Sequence, residues 1–288
     1  MLSRAFQEAK RLLKPTPAIT FPDSAASRPR PIHLEVERKF VPTAYLESQL
    51  GSIRSPTHRL PLGEDLYDAP KVLTSLRLPN KLVRDTYFDL NGCLSERGIW
   101  IRRREELTIS SLNASPHRCQ KREEWQAKIR LGGDFVDSQF EEAEGEEAVT
   151  AILSQHLPHA SLAKLNAIAD LRTDRRTWSV RDAESSVTPQ AVEVMLDRVT
   201  EAGDKTPHAE DFCHDIGEVE LSADMEGGTE HENDRERKQQ IIDRMHCTLS
   251  DFMLRHNSLF PVEPTPIGKL SAYFMWKESA RKSDKGPG

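Results

Sequence analysis

Two carboxylates and an amine recur at every second position in Glu35, Glu37 and Lys39. On a β-strand such residues share one face, so their side chains line a single surface. Arg102 and Arg104 repeat the spacing with guanidiniums, and Glu218 and Glu220 repeat it with carboxylates. Lys128, Arg175 and Lys269 lie in segments that can add further cations. Alone, an ExExK run describes a solvated strand face with cross-strand ion pairs. Taken together, the runs are segregated by sign, whereas an open surface would mix in Ser, Thr and Asn. Like charges packed together raise the energy of an empty site. A divalent metal on the carboxylates and a polyanion on the cations would lower it.

A triphosphate with magnesium supplies both. Arginine forks match phosphate oxygens, and lysines act as point charges. Magnesium takes about six oxygen ligands near 2.1 Å, which carboxylates and waters provide. Phosphoryl transfer needs mainly positioning and charge stabilisation, so fixed charges suffice without a covalent nucleophile. One glutamate or a second metal would orient and deprotonate the attacking water.

These residues need strands to align them, and the sequence supplies period-two alternation repeatedly. In 32–40, Ile32, Leu34, Val36 and Phe40, interrupted only by Arg38, oppose His33, Glu35, Glu37 and Lys39. Ile99 and Ile101 oppose Trp100, Arg102 and Arg104. Ala127, Ile129 and Leu131 oppose Gln126, Lys128 and Arg130. Val192, Val194 and Leu196 oppose Glu193, Met195 and Asp197, and Val219 and Leu221 oppose Glu218 and Glu220. Each strand thus has an apolar face to bury and a charged face that must meet either solvent or the inside of a closed barrel. Helical spacing predicts helices over 144–156, 161–172 and 235–256, whose role is to cover the apolar faces. The last carries the stripe Ile241, Ile242, Met245, Leu249, Phe252 and Met253. Stretches 54–80, 106–120 and 200–213, rich in Pro, Ser, Gly, Asp and His, read as loop insertions.

The 288 residues include 30% charged ones, and no apolar run approaches the roughly 18 residues of a membrane-spanning helix. The net charge of −6 argues against a broad nucleic-acid face. Cys93, Cys119, Cys213 and Cys247 are scattered without paired spacing, which fits free thiols in a reducing compartment. Residues 1–14 carry Arg4, Lys10, Arg11 and Lys14 beside Leu2, Phe6, Leu12 and Leu13. That pattern fits either a mitochondrial transit peptide or a surface helix, so a cytoplasmic location stands beside the mitochondrial matrix. The Pro-rich stretch 15–31 reads as an unstructured lead-in. The expected organisation is therefore a flexible segment 1–31, one domain at 32–277 and a disordered tail at 278–288.

The charged motifs, in this order, resemble the CYTH-domain family of triphosphate tunnel metalloenzymes, and most closely its thiamine triphosphatase branch. The matching blocks are LEVERKF at 34–40, RDTYFD at 84–89, WIRRRE at 100–105 and GEVE at 217–220. Trp125 with Lys128, the TxRxxW stretch ending at Trp178, and GKL at 268–270 also match. The resemblance implies an α+β fold, an eight-stranded antiparallel β-barrel with a polar interior and helices outside. It implies hydrolysis of thiamine triphosphate to thiamine diphosphate and phosphate, with Mg2+ or else Mn2+. It implies that Glu35, Glu37, Asp197, Glu218 and Glu220 hold metal, with Glu37, Glu220 and Lys39 catalytic. Lys39, Arg102, Arg104, Lys128, Arg175 and Lys269 would hold the triphosphate, and Trp100 would stack on the thiazolium cation. Met195 stands where that branch carries an extra aspartate, leaving Asp197 on the same face. Inorganic tripolyphosphate is the alternative substrate, and a polyphosphate- or nucleotide-binding module without turnover the alternative class. Adenylate cyclase activity, also found in the superfamily, has no adenine-pocket signature here. The expected partner is a small-molecule triphosphate, with neither nucleic acid nor membrane, and the expected state a monomer.

Overall fold

The computed structural model describes residues 32–52, 73–109, 120–134, 136–182, 190–203, 211–226 and 232–283. Both readings of residues 1–31, and Cys119, fall outside the described residues. Among the described residues nine strands run β1 (Ile32–Phe40), β2 (Leu73–Arg77), β3 (Asn80–Asp89), β4 (Ile99–Ile109), β5 (Gln120–Gly133), β6 (Asp137–Glu144), β7 (Asn166–Asp182), β8 (Val192–Glu201) and β9 (Cys213–Met225). Eight of them close a ring in the order β7-β3-β4-β5-β6-β1-β9-β8, with β8 pairing back onto β7. Every pairing is antiparallel. The fold is thus a closed antiparallel barrel with one strand, β2, outside it. β2 lies against the far end of long β7, on the edge that β3 also uses. Pro79 separates the two, and a residue without an N–H cannot continue the ladder.

The alternation has the expected consequence. Leu34, Val36 and Phe40 of β1, with Val192, Val194, Val219 and Leu221 of β8 and β9, form the largest apolar cluster. Helix α3 (Glu232–Arg255) covers it with Ile242, Met245, Leu249, Phe252 and Met253. A short helix α1 (Leu46–Ser52) adds Leu46 and Leu50. A second cluster joins Ile99, Ile101 and Ala127 to Val149 and Leu153 of helix α2 (Glu146–His156). Gly217 is fixed by close approach, since a Cβ there would lie 2.2 Å from the Phe40 ring, its cross-strand partner.

Helix α4 (Lys269–Ser283) behaves differently from the helices outside. Its Tyr273 packs with Tyr87, Ala169, Leu171, Val199 and Phe212. Leu171 opposes Asp85 and Ala169 opposes Tyr87, so this cluster belongs to the inner face and plugs one end of the barrel. Tyr273 Oη donates to Glu201 Oε1 at 2.5 Å, tying helix to barrel.

Several sequence expectations are corrected. Residues 161–172 form no α-helix but a 3-10 turn (Leu162–Lys164) followed by β7. Leu162, Leu165 and Ile168 do fall three residues apart, but β3 takes the backbone hydrogen bonds from Asn166 to Arg175. The loop expected at 54–80 contains β2, and β4 runs on through residues 106–109 of the loop expected at 106–120. Residues 278–283, expected as tail, continue α4. Leu131, placed on the apolar face, is 38% exposed because a register shift follows Arg130. No helix among the described residues is long and apolar enough to cross a membrane.

Candidate functional site

The barrel interior holds a cavity of about 290 Å³. Glu35, Glu37, Lys39, Trp100, Arg102, Arg104, Lys128, Arg175, Glu218, Glu220 and Lys269 all line it, so eleven of the twelve residues singled out from sequence converge. The twelfth, Asp197, lies behind Arg175 with both carboxylate oxygens taken by that guanidinium, at 2.8 and 2.5 Å.

The carboxylates stand on β1 and its neighbour β9, where Glu37 faces Glu220 and Lys39 faces Glu218 across the ladder. Lys128 of β5 reaches Glu35 at 2.5 Å, Glu142 at 2.9 Å and Glu37 at 3.7 Å. Lys39 bonds Glu37 directly. These contacts give neighbouring acids unlike protonation behaviour. Burial alone would raise Glu37, but Lys39 and Lys128 outweigh it and hold its carboxyl well below the usual range. Burial pushes Glu35 well above that range, reinforced by the Glu220 charge and opposed by Lys128. Glu220 is raised to about 7, first by burial and then by the charges of Glu142 and Glu37, against Lys128. Among the described residues Glu220 makes no ion pair and no side-chain hydrogen bond. Lys128 and Lys39 are both held protonated by the surrounding glutamates in spite of burial.

The opposite wall is paired internally. Arg104 donates to both oxygens of Asp85 at 2.7 Å, and Arg102 lies 3.7 Å from the same carboxylate. Arg102 also donates to Gln126 at 2.9 Å. Asp85, which burial would raise, is held far below the ordinary range by Arg104 and Arg102. Arg175 stays on Asp197 with Glu218 3.5 Å away, and Lys269, at the first residue of α4, approaches Asp197 at 3.7 Å. Asp197 is likewise lowered, its burial outweighed by Arg175 and Lys269.

Sequence reasoning passed over Glu142 and Asp85. Glu142 lies on the inner face of β6, and burial there is outweighed by Lys128 and Arg102, which lower it to about 2. Asp85 sits within the RDTYFD block, which was given no role. Arg130 was placed on the polar face of β5 without a role, and its guanidinium lies over Trp100. Met195 lines the cavity at 3% exposure and offers the carboxylate wall no oxygen.

The all-oxygen donor set of Glu35, Glu37, Glu218 and Glu220 suits a hard divalent cation, and burial together with neighbouring carboxylates raises Glu35 and Glu220. As folded, however, no three acidic, histidine or cysteine side chains among the described residues form a ready ligand cluster. Lys39 and Lys128 stand among the glutamates instead.

No family model matches the chain, and no curated protein matches it. Among solved structures the chain is similar to a candidate adenylyl cyclase from Hippeastrum, described as having a dominant triphosphatase activity. Identity is 16% and the TM-score 0.37, over 78% of this chain and 87% of that one. It is also similar to the PH1819 protein of Pyrococcus horikoshii, at 13% identity and TM-score 0.33 over 73% and 89% of the two chains. A candidate adenylate cyclase from Bacillus halodurans follows at 16% and 0.31, over 74% and 90%.

Proposed function

We propose that this protein hydrolyses the terminal phosphoanhydride bond of a triphosphate with the help of a divalent metal, magnesium or manganese. The observation that carries the reading is a closed barrel whose inner surface sets the glutamates of β1 and β9 opposite a wall of arginines and lysines. A linear polyanion threaded between those walls meets Arg102, Arg104, Arg175 and Lys269 on one side, with Lys128 and Lys39 on the other. Arginine forks bind phosphate bidentately, and no nucleophilic side chain is required.

Glu35, Glu37, Glu218 and Glu220 would hold the metal, which neutralises phosphate oxygens and favours ionisation of a bound water. Lys39 and Lys128, released from the glutamates, would turn their ammoniums to phosphate. Glu220, raised to about 7 and making no ion pair or side-chain hydrogen bond among the described residues, is suited to take the proton of the attacking water. Asp85 and Asp197 act as positioning residues that fix the guanidinium planes.

Thiamine triphosphate is the substrate that the sequence resemblance supports, with Trp100 in the cavity lining as the surface for a thiazolium. Inorganic tripolyphosphate is the second reading, favoured because Arg130 already lies against that indole. The test is phosphate release by the full chain from each compound, with magnesium and then with excess EDTA. Metal-dependent release is expected. No release from either compound would overturn the hydrolase reading and leave a polyphosphate-binding barrel.

A further inference from the structure

The guanidinium carbon of Arg130 lies 5.3 Å from the centre of the Trp100 ring. It also lies 5.9 Å from the centre of Phe140, which stands at 88° to the indole with ring centres 5.8 Å apart. Lys128 sits 5.1 Å over the same Phe140 ring. The aromatic pair at this part of the tunnel is therefore engaged by cations from the protein's own chain. The placement is built into the strands. Trp100 faces Lys128 across the β4–β5 ladder, and Arg130 lies two residues further along the same inward face. The Arg130 amide donates to the carbonyl of Gly98 at 2.8 Å. Gly98, at φ +70, has no side chain to obstruct Arg130, whose Cβ would lie 3.2 Å from any Cβ built there.

We infer that Arg130 is a specificity-determining residue, which by lying on the Trp100 ring keeps an organic cation off it and favours a bare polyphosphate chain. A π-face draws one cation, and a second one arriving there must displace the first and meet its like charge. A thiazolium bears both costs. The terminal phosphate of tripolyphosphate bears neither, and the guanidinium attracts it. The inference rests on the proposed triphosphate site and concerns only which triphosphate fills it.

The experiment compares kcat/KM for thiamine triphosphate and tripolyphosphate in the wild type, Arg130→Ala and Arg130→Met. Each substitution is also placed in a Trp100→Ala background. Arg130→Met keeps an unbranched side chain over the ring and removes the charge, so it serves if the alanine variant folds poorly. With Trp100 present, loss of Arg130 should raise the ratio of thiamine triphosphate to tripolyphosphate use by about tenfold. With Trp100 removed, the same change should leave the ratio constant, since the two residues act as a pair. An unchanged ratio with Trp100 present would overturn the inference. So would equal losses on both substrates, which would make Arg130 an ordinary phosphate ligand. If the wild type hydrolyses neither compound, the hydrolase reading fails by itself. The same ratio is then read from calorimetric binding of the two compounds in EDTA, where a tenfold shift supports the inference and no shift overturns it.

Discussion

The two walls of the tunnel are built from the same charged residue types and solve opposite problems. On the arginine wall every guanidinium lies beside a carboxylate: Arg104 and Arg102 share Asp85, and Arg175 holds Asp197. On the glutamate wall Lys39 and Lys128 are shared among Glu35, Glu37 and Glu142, and Glu220 makes no ion pair or side-chain hydrogen bond among the described residues. The first wall is held by its own ion pairs, although its cations outnumber Asp85 and Asp197. The second sets Glu35, Glu37, Glu142, Glu218 and Glu220 against Lys39 and Lys128, and burial, reinforced by that crowding of acids, raises Glu35 and Glu220. A buried ion pair gains little over its desolvation cost, but removing one partner strands the other. Loss of a carboxylate should therefore damage stability on the arginine wall and activity on the glutamate wall.

The largest effect is expected from Asp85→Asn, which leaves two buried guanidiniums uncompensated. Stability should fall by about 3–5 kcal/mol, read by denaturant unfolding. A loss below about 1 kcal/mol would mean that the wall is not held by its own ion pairs. Next, Glu37→Gln and Glu220→Gln should each lower turnover at least about 100-fold with the fold intact. Near-normal rates in both variants would erase the distinction between the walls.

The pH dependence of stability sharpens the contrast further. Glu220 titrates near 7 in the folded chain, above its ordinary 4.5. Its contribution is complete below pH 4.5 and is lost as pH rises through about 7. In EDTA, the melting temperature should fall by roughly 5 °C between pH 5 and 8, and Glu220→Gln should flatten that fall. An identical slope in the variant would remove Glu220 as its source. Glu142, held at about 2, acts with the opposite sign, and its contribution disappears only as pH drops toward that value. The smallest effect belongs to Lys269→Met, which removes a cation near the arginine wall. It should raise KM about tenfold with kcat little altered, and a fall in kcat alone would place Lys269 at the reacting bond.

Legibility in the sequence followed the apolar faces. β1, β4, β8 and β9 show a clear alternation because runs of their outer residues, such as Leu34 with Val36, Ile99 with Ile101, Val192 with Val194, and Val219 with Leu221, are apolar and buried. β6 carries Gln139, Glu141 and Ala143 on the outer face, so its alternation vanishes and Glu142 goes unnoticed with it. In β7 exposed Arg172 and Asp174 interrupt the apolar residues, and the remaining spacing imitates a helix. Asp85 could be found only by pairing β3 with β4, a register that no local pattern specifies. The contact of Arg130 with Trp100 was hidden for the same reason, because it depends on the β4–β5 register.

One feature of the ring bears on how the molecule assembles. β1, the earliest strand among the described residues, is flanked by β6 and β9, neither of them next to it in sequence. Glu35 meets Lys128 across 93 residues, and His33 meets Asp224 across 191. Contacts of such separation form slowly, because chain entropy must be given up before they stabilise anything. Local hairpins such as β3–β4 and β8–β9 can form early, while the strand bearing Glu35, Glu37 and Lys39 waits for both neighbours. During refolding, the charge cage should therefore be among the last parts of the molecule to assemble, with catalytic competence trailing the gain of β-structure.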